Sequence, residues 1–252
     1  MLKLALSGCC GRMGRTVARL AAASADTKIV AGSDIVLETY SDFPIYASLA
    51  DAPARADAVI DFSNPAAFDG LLTYCLETKT PLVLCTTGLS DAQIAAARDA
   101  SREIPVFRSA NMSLGIALLS DLARRAAAVY GEYCDVEIVE KHHNRKLDAP
   151  SGTALMLYDA LAEALPYDPT PVYDRHERRE PRPAHEIGIS AVRGGTIVGE
   201  HDILFCGTDE TVTLSHTALS RDAFAVGALR AARYIAGREP GLYDMRDIMA
   251  SI

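Results

Sequence analysis

The chain has 252 residues, enough for one large domain or two modest ones, and its 49 % hydrophobic and 23 % charged residues are those of a globular protein, not a disordered one. Lys plus Arg number 25 against 33 Asp plus Glu, and the net charge of −8 argues against a general nucleic-acid or anionic-membrane binder. No apolar run approaches the ~20 residues that span a bilayer, and the opening MLKLALSGCCGRMG reaches glycines too early for a signal peptide, so a cytoplasmic protein is expected.

In chain order, residues 2–6 read as a strand, 12–23 as a helix and 28–34 as a second strand. Residues 58–62 form another, followed by a helix with Pro65 in its first turn that runs to about Thr78. Residues 81–85 are a buried strand, Ser90 caps a helix over 91–102, and 104–107 add a strand. Strands alternating with helices through short connections predict a parallel, doubly wound α/β sheet of Rossmann type. The second half differs. Residues 134–141 alternate like a half-exposed strand, 154–165 form a helix, and the Pro-, Arg- and Glu-rich stretch 166–186 reads as a long mobile loop. Strands over 187–193, 196–206 and 211–219 are joined at Gly194-Gly195 and at 207–210, which predicts hairpins and a mostly antiparallel sheet in an α+β domain. A helix over 222–235 and the segment 241–252 close the chain.

The six cysteines are scattered without a CxxC pair, so free thiols are expected, and neither a disulfide framework nor a metal site. With no Trp and 6 % aromatics, the stacking platforms of a single-strand binder are missing.

The first strand runs into Gly8, Cys9, Cys10, Gly11, Arg12, Met13 and Gly14 and then a helix. Glycines there allow a tight turn, close approach of a pyrophosphate and close helix–strand packing, while N–H groups at the helix start bind phosphate. The spacing is GxxGxxG in place of the commoner GxGxxG. A glycine-rich turn beside a solvated carboxylate is the bland alternative; Asp34, at the end of the second strand, favours the dinucleotide reading because it can accept from both adenosine-ribose hydroxyls. Asp34 repels a 2′-phosphate and is followed by Ile35, where an arginine would compensate, so NADH is favoured; Arg12 and Arg15 keep NADPH as an alternative. The loops Cys85-Thr86-Thr87-Gly88 and Ser109-Ala110-Asn111-Met112 follow parallel strands, where ligands bind in open α/β sheets, although ordinary turn chemistry explains them equally well.

The densest constellation is EKHHNRKLDAPSGT, residues 140–153. Ser151 can cap the following helix and leave the N–H groups of Gly152 and Thr153 open to an anion, with His143 and Lys146 alongside, which makes a carboxylate clamp. If the strand persists, His142 and His143 point to opposite sides. The competing readings are a metal site, for which no third ligand has convincing spacing, a solvated basic stretch through Lys141, Arg145 and Lys146, and a turn formed by Asp148.

GCCGRMG, CTTG, SANMSLG and above all EKHHNRKLDAPSGTAL closely resemble the dihydrodipicolinate reductases of bacterial lysine and diaminopimelate biosynthesis, as do SAVRGGTIVGEH, SHTALSRDAFAVGALRAA and GLYDMRDIM. The resemblance covers nearly the whole chain. It implies an NAD(P)H-dependent oxidoreductase that reduces a small cyclic imine dicarboxylate, with hydride to ring C4 and a proton from a Lys/His site. By position, residues 8–13 would bind phosphate and Asp34 the adenosine ribose, while Cys85, Thr86 and Thr87 with Ser109, Ala110, Asn111 and Met112 would line the nicotinamide. His142 would donate or accept a proton, Lys146 would donate one, and His143, Ser151, Gly152 and Thr153 would hold the substrate. Cys85 stands where many relatives have Gly. The resemblance also implies a dinucleotide-binding domain of 1–112 plus 222–252, a substrate-binding domain of 113–221 through which a homotetramer forms, and closure about hinges near 111–114 and 219–222. Two rival readings are an aspartate-dehydrogenase-like enzyme, against which the DAPSGT segment speaks, and a silent NAD-binding sensor, which would have no use for His142 and Lys146.

Overall fold

The structure, a computed structural model, describes residues 1–251. The chain runs β1 Leu2–Ser7, α1 Arg12–Ala22, β2 Thr27–Ser33, β3 Ile45–Tyr46, β4 Ala58–Asp61, α2 Phe68–Thr78, β5 Leu82–Leu84, α3 Asp91–Ala100 and β6 Pro105–Arg108. It continues through α4 Leu114–Tyr130, β7 Asp135–His142, α5 Gly152–Ala162, β8 Thr170–Val172, β9 Glu186–Arg193, β10 Gly199–Cys206 and β11 Thr211–Ala218, then α6 Asp222–Ile235, β12 Gly241–Tyr243 and α7 Met245–Ala250. Two compact units result, one of Met1–Leu114 together with the chain from Arg221 onward, the other of Gly115–Ser220.

The first unit is built on a seven-stranded sheet in the order β12-β6-β5-β4-β1-β2-β3, with every pair parallel. Ala58, Val59 and Ile60 in β4 and Leu82, Val83 and Leu84 in β5 are all buried, as strands covered on both faces must be. Helix α3 begins in a capping box, with the Ser90 side chain accepting from the Gln93 N–H and the Gln93 side chain accepting from the Ser90 N–H. Pro65 opens a 3-10 turn, Pro65–Ala67, and the α-helix starts only at Phe68. Helix α6 buries an alanine stripe, Ala225, Ala228, Ala231 and Ala232, and packs against α1 and β4–β6. The strand order reverses between β4 and β2, on either side of β1, so a ligand crevice is expected beyond the carboxyl ends there.

The second unit holds a mixed five-stranded sheet in the order β11-β10-β7-β9-β8. Here two expectations are corrected. The turn at 207–210 does join an antiparallel hairpin, β10–β11, but Gly194-Gly195 does not join another. β7 lies between β9 and β10, parallel to the first and antiparallel to the second. The glycine pair instead crosses the end of β7, where the Gly194 N–H donates to the His142 carbonyl (2.9 Å) and the Asn144 N–H to that of Gly195 (3.3 Å). The stretch 166–186, expected to be a mobile loop, contains β8 and is tied down by ion pairs: Arg175 to Glu137 at 2.8 Å, Arg178 to Glu186 at 2.5 Å and Arg182 to Asp135 at 2.6 Å. The 17-residue α4 was absent from the sequence reading; its Ile116, Leu119, Ala123 and Ala127 join Val136, Ile138, Leu157 and Phe205 in the core of this unit.

Candidate active site

In the first unit β1 delivers the chain into the glycine turn. Gly8 takes φ +73°, and a Cβ there would lie 2.5 Å from the Phe62 carbonyl oxygen; a Cβ at Gly14 would lie 2.2 Å from that of Gly8. Gly11 caps α1 without a side-chain hydrogen bond, so no side chain occupies the first-turn N–H groups. Asp34 binds back to this loop, one oxygen accepting from the Cys10 N–H (2.8 Å) and the other from the Val36 N–H (3.1 Å). Each oxygen keeps a further lone pair for a hydroxyl donor. Arg15 donates to the Cys10 carbonyl (3.0 Å) and to Glu38 (2.7 Å) and lies over the Tyr40 ring, 4.3 Å from its centroid.

Two cavities flank the loop, and Gly11 lines both. One, of about 630 Å³, takes in Arg12 and Met13 together with residues 84–89 and 108–112, so that it is lined by Cys85, Thr86, Thr87, Ser109, Ala110, Asn111 and Met112 alike. The other, of about 490 Å³, is bordered by Gly8, Cys10, Arg15, Asp34, Ile35 and Glu38. A dinucleotide consists of two ring halves joined by a pyrophosphate, and a bare helix N-terminus between two cavities of ligand size matches that shape. The wall of the first cavity depends on Asp61, a fully buried carboxylate at the end of β4 that accepts from the Thr86 hydroxyl (2.7 Å) and the Ser63 N–H (3.1 Å). Burial first, and Asp61 second, push the Cys85 thiol well up, so it faces the cavity as a neutral group. Among the described residues Cys9, Cys10 and Asp34 bring ligand atoms within 4.8 Å of one another. Burial, with Cys10 beside it, pushes the Cys9 thiol up to about 12.

In the second unit β7 alternates, burying Val136, Ile138, Glu140 and His142 on one face, and it ends at His142. The inward apolar row thus finishes in a carboxylate and an imidazole. Glu140, fully buried, accepts from His142 Nδ1 (2.7 Å), from the Ser151 N–H (3.0 Å) and from both terminal nitrogens of Arg193 (2.7 Å each). Burial alone would raise the Glu140 carboxyl; the bonds from Arg193, His142 and Ser151 outweigh it and hold the group below the ordinary range. Ser151 is itself buried. Its Oγ accepts from the Ala154 N–H (3.1 Å) as the cap of α5 and bonds His201 Nε2 (3.1 Å). Gly152 is exposed and Thr153 partly so at the first turn of the helix. His201 lies edge-on to His142 with ring centroids 5.2 Å apart, and burial, with His142 second, lowers it to about 4. Lys146 pairs with Asp148 at 2.9 Å. Burial would raise the Asp148 carboxyl, but Lys146 and the Gly152 N–H outweigh it, so this side chain is an anion already placed at the mouth of the clamp.

The structure therefore brings the cofactor candidates together in the first unit, and His142, Lys146, Ser151 and Gly152 into one segment of the second. Asp61, Glu140, Arg193 and His201 were missed by sequence reasoning. The alternation of β7, which puts Glu140 on the same face as Ile138, was the one signal available for any of them.

A fully parallel sheet with a glycine turn at its switch point, followed by a unit with a mixed sheet, defines a Rossmann-like nucleotide-binding architecture. Comparison with known proteins makes this specific. Residues 2–112 match the family model described as "Dihydrodipicolinate reductase, N-terminus" and residues 115–249 the one described as "Dihydrodipicolinate reductase, C-terminus". The chain is 50 % identical over 250 residues to the 4-hydroxy-tetrahydrodipicolinate reductase of Caldanaerobacter subterraneus subsp. tengcongensis, covering 99 % of this chain and 98 % of that one. It is 44 % identical over 251 residues to the enzyme of the same name from Clostridium novyi, covering 100 % and 99 %. Its fold is similar to that of a dipicolinate-bound dihydrodipicolinate reductase from Paenisporosarcina sp. TG-14, with TM-score 0.79, 25 % identity and 97 % of each chain covered. The chain belongs to the dihydrodipicolinate reductase family.

Proposed function

We propose that this protein reduces 4-hydroxy-tetrahydrodipicolinate to tetrahydrodipicolinate in lysine and diaminopimelate biosynthesis, as an oxidoreductase that uses a nicotinamide dinucleotide. The observation that carries the reading is the 140–153 segment, where an imidazole, an ammonium group and a capped helix start stand together on the unit matched by the family's C-terminal model. The relative with dipicolinate bound supports a cyclic dicarboxylate as ligand.

The 4-hydroxyl leaves as water to give the conjugated ring, and the reduced nicotinamide, when bound, would supply the hydride equivalent to its C4. The chain's own residues do the rest. The turn of Gly8, Cys9, Cys10 and Gly11 lets the pyrophosphate approach the backbone, Arg12 and Met13 take it on N–H groups at the start of α1, and Asp34 takes the adenosine ribose. Cys85, Thr86 and Thr87 with residues 109–112 seat the nicotinamide ring. Gly152 and Thr153 hold a substrate carboxylate at the start of α5, a contribution to positioning, and Ser151 orders that start as its cap. His143 contacts the substrate. Lys146 donates a proton to the reduced ring, and His142 donates or accepts one.

NADH is the favoured cofactor. Asp34 repels a 2′-phosphate, Ile35 is almost wholly exposed at 98 % and offers no charge, and Arg15 is already occupied by Glu38. Residues 113–221 are the substrate-binding domain, and they form a homotetramer through the sheet whose edge strand β11 leaves Val212 exposed. The protein works in the cytoplasm, where its six free cysteines stay reduced; no described helix is long and apolar enough to cross a membrane.

The test follows absorbance during oxidation of NADH, and separately NADPH, with the cyclic imine generated in situ by its synthase. Substrate-dependent oxidation with a higher kcat/KM for NADH is expected. Binding of NADH without any oxidation would refute the reductase reading, and a preference for NADPH would refute the Asp34 argument alone.

A further inference from the structure

The inward face of β7 ends in Ile138, Glu140 and His142, and the middle one of these is a charged group with no exposure to solvent. An ionised carboxylate has about four lone-pair positions. Glu140 uses four: Oε2 accepts from His142 Nδ1 and one Arg193 nitrogen, and Oε1 accepts from the Ser151 N–H and the other Arg193 nitrogen, all at 2.7–3.0 Å. An acceptor-only partner requires the hydrogen of a neutral imidazole to sit on Nδ1. The opposite edge of the ring meets Gly199, where even a Cβ would come within 3.0 Å of Nε2, so a glycine keeps that nitrogen clear. The same carboxylate holds the cap residue of α5 by its N–H, and Arg193 reaches on to the Asp148 carbonyl at 2.8 Å.

We propose that Glu140 is a positioning residue for the reaction: it fixes His142 with Nδ1 protonated and Nε2 presented for proton transfer, and it locks this ring to the start of α5 that holds the substrate carboxylate. The proposal rests on the reading of His142 as a proton-transfer residue. Glutamine at 140 cannot reproduce the arrangement. Its amide nitrogen is a donor facing two donors at whichever oxygen position it takes, so either the His142 tautomer or the Ser151 contact is lost.

The charged and titratable groups around the pair are Arg193 from β9, His201 from β10 with His216 beyond it on β11, and Lys146 and Asp148 from the loop.

The experiment combines ¹⁵N NMR of the histidine rings in the wild-type protein with pH–rate profiles of E140Q and H142Q. Expected are an Nδ1–H tautomer for neutral His142 in the wild type, and in E140Q a kcat reduced at least about tenfold with an altered pH–rate profile. The KM for NADH should stay within about twofold, because the nucleotide loop lies in the other unit, an invariance that general misfolding would not give. An Nε2–H tautomer in the wild type overturns the proposal, and so does a folded E140Q with unchanged kcat and profile. An inactive H142Q beside an unaffected E140Q overturns the positioning role and leaves the proposed function intact; a fully active H142Q removes both roles. If E140Q does not fold, the wild-type tautomer decides.

Discussion

Replacing Gly14 by alanine tests whether close packing at the start of α1 makes the nucleotide site. The added Cβ would lie 2.2 Å from the Gly8 carbonyl oxygen, 2.6 Å from Cys9 Cα and 2.7 Å from the Cys9 carbonyl oxygen, all backbone atoms with no rotamer to relieve them. Restoring ordinary contact requires the helix start to move about 1 Å away from the turn. Overpacking on this scale costs up to about 3 kcal/mol, offset by about 1 kcal/mol because alanine favours a helix over glycine. The net of about 2 kcal/mol corresponds to a drop in Tm of roughly 4–8 °C at about 2–4 °C per kcal/mol. The same displacement moves the N–H groups of Arg12 and Met13 relative to the turn, and a tenfold or greater loss of NADH affinity, about 1.4 kcal/mol, is expected in a fluorescence titration. Gly70→Ala is the control. It lies in α2 with no atom within 4 Å of the added Cβ, and it is expected to stabilise by about 0.5–1 kcal/mol without changing NADH binding. A Gly14→Ala protein with wild-type Tm and wild-type NADH affinity would refute the reasoning.

Lys146→Ala is expected to bind NADH normally in the same titration and to lose about 100-fold or more in kcat; unchanged turnover would remove Lys146 from the reaction. The buried His201 gives a pH dependence of opposite sense to that of a salt-bridged histidine. Its folded value of about 4 lies below the unfolded 6.5, so the unfolded chain binds more protons in between. Its contribution to stability is complete above about pH 6.5 and is lost as pH falls towards 4, on the order of 3 kcal/mol in all. Urea titrations across this window should show the decline in the wild type and a flatter dependence in His201→Asn.

What could be read from the sequence was what is local. Runs such as AVID and LVLC, the Ser90 cap and the glycine turn all declare themselves within a few residues, and the parallel sheet follows from their alternation. Gly194-Gly195 misled because a glycine pair between two apolar strands looks like a hairpin, whereas the strand that separates β9 from β10 was laid down some fifty residues earlier. The 166–186 stretch is rich in charge, and only the fold shows that Arg175, Arg178 and Arg182 meet Glu137, Glu186 and Asp135. At the site, Asp34 is marked by its place after a strand. Glu140 is marked only by the alternation that puts it on the face of Ile138; nothing local shows that Arg193, 53 positions on, meets it there in the interior.

The first unit is discontinuous, and this has a consequence for how the protein is made. Chains emerge from the ribosome at about 5–20 residues per second and fold by units as they appear. All of Gly115–Ser220 is available before α6 and β12 are synthesised. The nascent molecule thus completes its second unit first. Until the last thirty or so residues arrive, its first unit presents to the translating cell the β4–β6 surface that α6 will cover and an unpaired β6 edge, and it is over this short interval that a chaperone would have most to shield.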